Sequence, residues 1–129
     1  MATILVVDDE FGIGELLVAL LTDEGHRVLA AVNGRQALER MAEARPDLVI
    51  SDLMMPVMDG AALVRAIRGR PDWHDIPVVL MCALPEETVR DRLDSYSAFV
   101  RKPFRMDEVV ALVERLLQPP PRPAAEPAK

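Results

Sequence analysis

Ile4-Leu5-Val6-Val7-Asp8-Asp9-Glu10 is an apolar, partly β-branched run of four that stops abruptly on three acids. A short apolar run bounded in this way reads as a buried strand, and the next apolar residues, Ile13, Leu16, Leu17 and Leu20, return at helical spacing. The first unit is therefore a strand followed by a helix, with the acids at the turn between them. The alternation recurs along the chain. Strands are predicted at Arg27–Ala31, Leu48–Ser51, Val78–Met81 and near Ala98–Val100. Helices are predicted at Arg35–Ala44, at Ala61–Arg68, from about Glu86, and at Asp107–Leu117, where Val109, Leu112, Val113 and Leu116 share one face. Five βα units with nearly continuous apolar strands predict an α/β fold whose parallel sheet is covered on both faces. Gly25, Gly34, Pro46-Asp47, Pro71 and Pro77 fall at the junctions.

The chain has 129 residues, half of them hydrophobic and 28% charged, enough for one domain with a real core and too short for a second module beside it. Fifteen basic against 21 acidic residues give a net charge of −6 with no basic cluster, which excludes direct nucleic-acid binding. The apolar runs fall far below the roughly 20 residues that cross a bilayer, and the N-terminus lacks a basic-then-apolar signal, so a cytoplasmic protein without membrane contact is expected. The single cysteine, Cys82, forms no internal disulfide, and His26 and His74 are too far apart in sequence for zinc-type spacing. The folded domain is expected to span residues 1–117, with 118–129 a flexible proline-rich tail.

Asp8 and Asp9 follow the first apolar strand and Asp52 follows the third. In open parallel α/β sheets ligands sit outside the carboxyl ends of the strands, at the switch point in strand order, where acids from neighbouring strands converge. Three carboxylates in one crevice call for a cation, and oxygen donors without His or Cys suit Mg²⁺. The alternative is that Asp8, Asp9 and Glu10 are a helix N-terminal cluster favoured by the macrodipole, with Asp52 an unrelated loop acid. Lys102, directly before Pro103 and after the fifth apolar run, bears on that choice, because a lysine at the mouth of an acidic pocket can pair with a phosphoryl oxygen.

These residues together resemble the receiver domain of bacterial two-component response regulators. The resemblance runs from about Ile4 to Leu117 and is carried by Val6-Val7-Asp8-Asp9-Glu10, by Ser51-Asp52-Leu53-Met54-Met55-Pro56-Val57-Met58-Asp59-Gly60, and by Lys102-Pro103-Phe104. It implies a flavodoxin-like, doubly wound (βα)5 sandwich with strand order 2-1-3-4-5. It further implies that Asp52 accepts a phosphoryl group from a sensor histidine kinase or phosphotransfer protein. Asp9 and Asp52 would ligate Mg²⁺ directly, Asp8 through water, and Met54 through its backbone carbonyl. Lys102 would pair with the phosphoryl group and precede a cis bond to Pro103, while Asp59-Gly60 would open the third helix, Asp59 as its N-cap. The protein would not be an enzyme beyond its own phosphorylation and dephosphorylation. As a monomer or weak dimer, it would act by docking on a downstream protein or by passing the phosphoryl group along a relay.

Some positions depart from the family pattern. Cys82 stands where the family usually has the Thr or Ser that moves to bond the phosphoryl group; it reads either as a small buried hydrophobe or as a weaker donor that retunes the switch. Phe99 stands where the family carries its rotating aromatic, and ordinary strand packing is the other reading. The separation from Cys82 to Lys102 is roughly two residues short, which predicts a short or irregular fourth helix. Apolar Met54 and Leu84, at positions that govern water access in the family, imply slow loss of the phosphoryl group. A pseudo-receiver, the same fold binding a protein constitutively without phosphorylation, is the main rival. A dehalogenase-type phosphatase lacks its Asp-x-Asp arrangement here, and an FMN binder lacks a phosphate loop after the first strand.

Overall fold

The computed structural model describes residues 2–118. β1 (Thr3–Val7) leads into α1 (Phe11–Asp23), and the alternation continues through β2 (Arg27–Ala31), α2 (Gly34–Glu43), β3 (Leu48–Asp52) and α3 (Gly60–Arg68). It ends with β4 (Val78–Cys82), α4 (Glu86–Arg90), β5 (Ala98–Arg101) and α5 (Met106–Leu117). All four strand pairings are parallel and the order is β2-β1-β3-β4-β5, the doubly wound arrangement that the sequence predicts. Among the described residues no helix is long and apolar enough to cross a membrane. The tail expected from 118 lies outside the described residues beyond Gln118.

Strand residues alternate between two cores. Leu5, Val7, Val49, Val78 and Leu80 pack with Ala37 and Met41 of α2 and Leu63, Val64 and Ile67 of α3. Ile4, Val6, Ile50, Val79, Met81 and Val100 pack on the other face with Leu17 and Leu21 of α1 and Val109 and Val113 of α5. The three inner strands β1, β3 and β4 are buried almost throughout, because helices cover both sides and no strand residue needs a polar face.

The element boundaries differ from the sequence reading in ways that matter for the site. β3 and β4 each run one residue further than predicted, so Asp52 and Cys82 are the last strand residues rather than the first of a loop. Gly34 is the first residue of α2, not a breaker before it; its N–H donates to Met58 O at 2.9 Å, and a Cβ there would meet Met58 Cγ at 2.6 Å. Gly60 opens α3 against the backbone of β3: a Cβ would lie 2.5 Å from the Asp52 carbonyl oxygen, so only glycine lets the loop return this closely. Asp59 caps α3 by accepting from Ala62 N at 2.9 Å, as expected. The predicted short fourth helix is found as the five residues of α4. Arg68, at the end of α3, fastens the loops before β4 and β5 by donating to the carbonyls of His74, Ile76 and Ser95.

Val57, in the loop between β3 and α3, has φ +69° and is 76% exposed. A β-branched residue in the left-handed region is strained, and its exposure means that little packing offsets the strain. Val57→Gly is expected to stabilise the protein by about 1 kcal/mol after the added freedom of the unfolded chain is allowed for. Thermal unfolding of the two proteins side by side checks this, and a lower midpoint for Val57→Gly would refute it.

Candidate functional site

Val6, Ile50 and Val100 all point into the α1/α5 core, and Asp8, Asp52 and Lys102 follow them by two residues each. Side chains two apart along extended backbone share a face, so these three are delivered to the same side at the carboxyl end of the sheet. The register sets Asp8 level with Asp52, since Val6 pairs with Ile50, and puts Lys102 two residues further out on the same face, since Asp52 pairs with Met81 and Met81 with Val100. The ladder also continues past the strand ends through Asp8 N to Ala31 O at 3.0 Å and Lys102 N to Cys82 O at 2.8 Å.

The Lys102 ammonium sits among three carboxylates. Nζ donates to Glu10 Oε1 at 2.9 Å and Asp52 Oδ2 at 3.1 Å, and lies 3.8 Å from Asp8 Oδ2. Asp8 is 5% exposed; its Oδ1 accepts from Glu10 N at 2.7 Å, while its Oδ2 is buried without a hydrogen-bond partner. Burial pushes the Asp8 carboxyl up to about 6 despite the Glu10 N–H and the Lys102 charge. Burial raises Asp52 as well, opposed by Lys102 and by the Met54 backbone N–H. Burial works against the charged form of Lys102, yet its hydrogen bonds to Glu10 and Asp52 outweigh this and hold it above the ordinary lysine value.

Carboxylate oxygens of Asp8, Glu10 and Asp52 lie within 4.8 Å of one another. One of them is an unpartnered buried oxygen, the donors are all hard, and three acids face one lysine. This arrangement fits a small divalent cation such as Mg²⁺. Asp9 stands outside that group, exposed at the mouth, where it lines a shallow cavity with Met54, Met55, Pro56 and Asp59, near enough for its charge to raise Asp52. Glu10, by contrast, reaches Lys102 directly. Sequence reasoning placed it only at the head of a helix, although it shares strand parity with Asp8 and that spacing was a usable signal.

The remaining predicted positions fall as follows. The Lys102–Pro103 bond is cis. Cys82 is buried in the α2/α3 core, on the side of Leu80's neighbours rather than that of Asp52, and its Sγ accepts from Leu84 N at 3.4 Å. Phe99 is half-buried against the same core and lies tilted on Tyr96, their ring centroids 6.0 Å apart. Tyr96 donates to Glu86 Oε2 at 2.9 Å, which ties the approach to β5 to the first turn of α4. Met54 and Leu84 flank the mouth, 64% and 43% exposed.

A doubly wound parallel sheet with acids at two central strand ends and a lysine from the next strand but one defines a class of α/β proteins with a candidate cation site at the switch point. The family model for the response regulator receiver domain matches residues 4–114, and the chain belongs to that family. It is 36% identical over 119 residues to the response regulator MprA of Mycolicibacterium vanbaalenii, covering 89% of this chain and 50% of that protein. The signal receiver domain of a signal transduction histidine kinase from Syntrophus aciditrophicus superimposes with a TM-score of 0.83 at 38% identity, covering 91% of this chain and 90% of that one. The receiver domain of sensor histidine kinase PA1611 from Pseudomonas aeruginosa PAO1, solved with a magnesium ion coordinated in its active-site cleft, gives 0.82 at 25% identity, covering 90% and 97%. The chain spans about half the length, or less, of the first curated relatives it matches.

Proposed function

We propose that the protein is a phosphoacceptor switch in which Asp52 receives a phosphoryl group from a phosphohistidine on a sensor histidine kinase or phosphotransfer protein. The observation that carries this reading is the Lys102 ammonium held 3.1 Å from the Asp52 carboxylate, beside a buried Asp8 oxygen with no partner. An Asp52 oxygen attacks phosphorus, the P–N bond to the donor imidazole breaks, and the imidazole nitrogen keeps the electron pair and takes a proton. Lys102 pairs with the transferred phosphoryl oxygens and offsets their charge. Asp8 and Asp52, with Glu10 or Asp9 and the Met54 carbonyl, are the residues that would hold Mg²⁺, which when bound neutralises the approaching phosphoryl oxygens. The readout is then altered docking on a downstream protein, with Cys82 and Phe99 as the switch positions.

Incubation with Mg²⁺ and acetyl phosphate, followed by intact mass measurement, tests this. One added phosphoryl group is expected, absent in EDTA and absent in Asp52→Asn. If neither acetyl phosphate nor any histidine kinase yields an adduct, the pseudo-receiver reading takes its place.

A further inference from the structure

α4 has only five residues and lies beside α3. Between the first turns of α3 and the segment from Leu84 to Leu93 runs a groove of about 320 Å³, floored by Leu53, Ala61, Leu84 and Leu93. Arg65 and Arg92 stand on its rim, both exposed. Neither has a carboxylate within 4.0 Å among the described residues; Arg65 reaches only the Arg92 carbonyl, at 3.4 Å. The one acid in the lining, Asp59, is engaged in capping α3. A chain of net charge −6 thus presents two uncompensated guanidinium groups beside an apolar floor.

We propose that this groove docks a short acidic peptide segment of a partner protein, one that seats a large apolar side chain between α3 and α4 and sets carboxylates against Arg65 and Arg92. The volume takes one or two side chains, which suits a peptide anchor. Guanidinium groups pair with carboxylates in a two-point geometry, so the two arginines, which stand together with Arg65 on the Arg92 carbonyl, select for acids beside that anchor. Leucine at the floor supplies the apolar burial, and the arginines supply orientation and encounter rate. The groove lies beside the Asp52 site, sharing Met54 with its mouth, but its binding chemistry does not depend on phosphorylation.

A display library of short random peptides, panned on the full chain, tests the proposal. Enrichment of sequences with a Leu, Met or aromatic residue and Asp or Glu beside it is expected. A selected peptide should shift the amide resonances of Ala61, Leu84, Thr88 and Arg92 and bind more weakly as salt rises. The double variant Arg65→Glu/Arg92→Glu should lose about tenfold or more in affinity, through like-charge repulsion. Arg65→Gln and Arg92→Gln, milder changes at exposed positions, should each give a smaller loss and confirm that folding is intact. Absence of enrichment, enrichment without acids, unchanged affinity in the variants, or shifts centred elsewhere would overturn the proposal. So would concentration-dependent self-association that blocks these same residues, since a second copy would then be the occupant.

Discussion

Asp8→Asn is expected to make the metal-free protein more stable at pH 7, by about 2–3 kcal/mol, and to abolish most of the stabilisation that Mg²⁺ confers. In the folded chain burial lifts the Asp8 carboxyl to about 6, whereas its ordinary value is 3.8. The folded state therefore holds a proton that the unfolded state has already released. Stability from this group is fully present below about pH 4 and is lost as pH rises through 6, so at neutral pH the ionised Asp8 is a net cost. Burial shifts Asp52 in the same direction and adds to the decline. Asparagine keeps the shape and removes the charge. It also removes the oxygen that no protein group satisfies, and with it a ligand that a divalent cation would use. In wild type, Mg²⁺ at a hundred times its dissociation constant should add about 2.7 kcal/mol. Urea unfolding in EDTA and in Mg²⁺, at pH 4 and pH 7, measures all of this; an Asp8→Asn protein less stable than wild type in EDTA at pH 7 would sink the account.

Lys102→Met should act in the opposite sense. Its ammonium is largely shielded from solvent and is the one positive group among Asp8, Glu10 and Asp52. Removing it leaves the three carboxylates facing one another, and a loss of about 2–4 kcal/mol is expected at pH 7 without metal. Without the lysine, Asp8 and Asp52 hold their protons to still higher pH, so the loss should shrink as pH falls and these carboxyls take up protons. A divalent cation no longer competes with the ammonium, so Mg²⁺ should bind more tightly and recover more stability than in wild type. The same unfolding series reads these outcomes, and a loss independent of pH would show that Lys102 contributes packing rather than charge.

The two variants depend on contacts of unequal legibility. The strand ends at Asp8 and Asp52 and the lysine at 102 follow from period and spacing, which are local properties of the chain, whereas the cap at Asp59 and the truncated fourth helix are legible only through the family resemblance. Glu10 was visible only as a helix-start acid, because its meeting with Lys102 joins residues 92 apart in sequence. For Cys82 the sequence offers a small buried hydrophobe or a weak donor. Strand parity with Leu80 sets its side chain on the α2/α3 side, and that parity applies only once β4 is known to include residue 82. Arg68 and the groove arginines were unreadable, since nothing local says which carbonyls a long side chain reaches or where a groove lies between two helices.

By itself, then, the sequence determined the α/β order, the parallel sheet and the end of it where the chemistry gathers, because hydrophobic period and strand-terminal acids are encoded residue by residue. Only the tertiary structure decided which carboxylates the lysine joins, which oxygen is left without a partner and where a groove runs beside α3. Those are matters of distance and burial between distant segments, and the desolvation that raises Asp8 exists only once the two cores have closed around it.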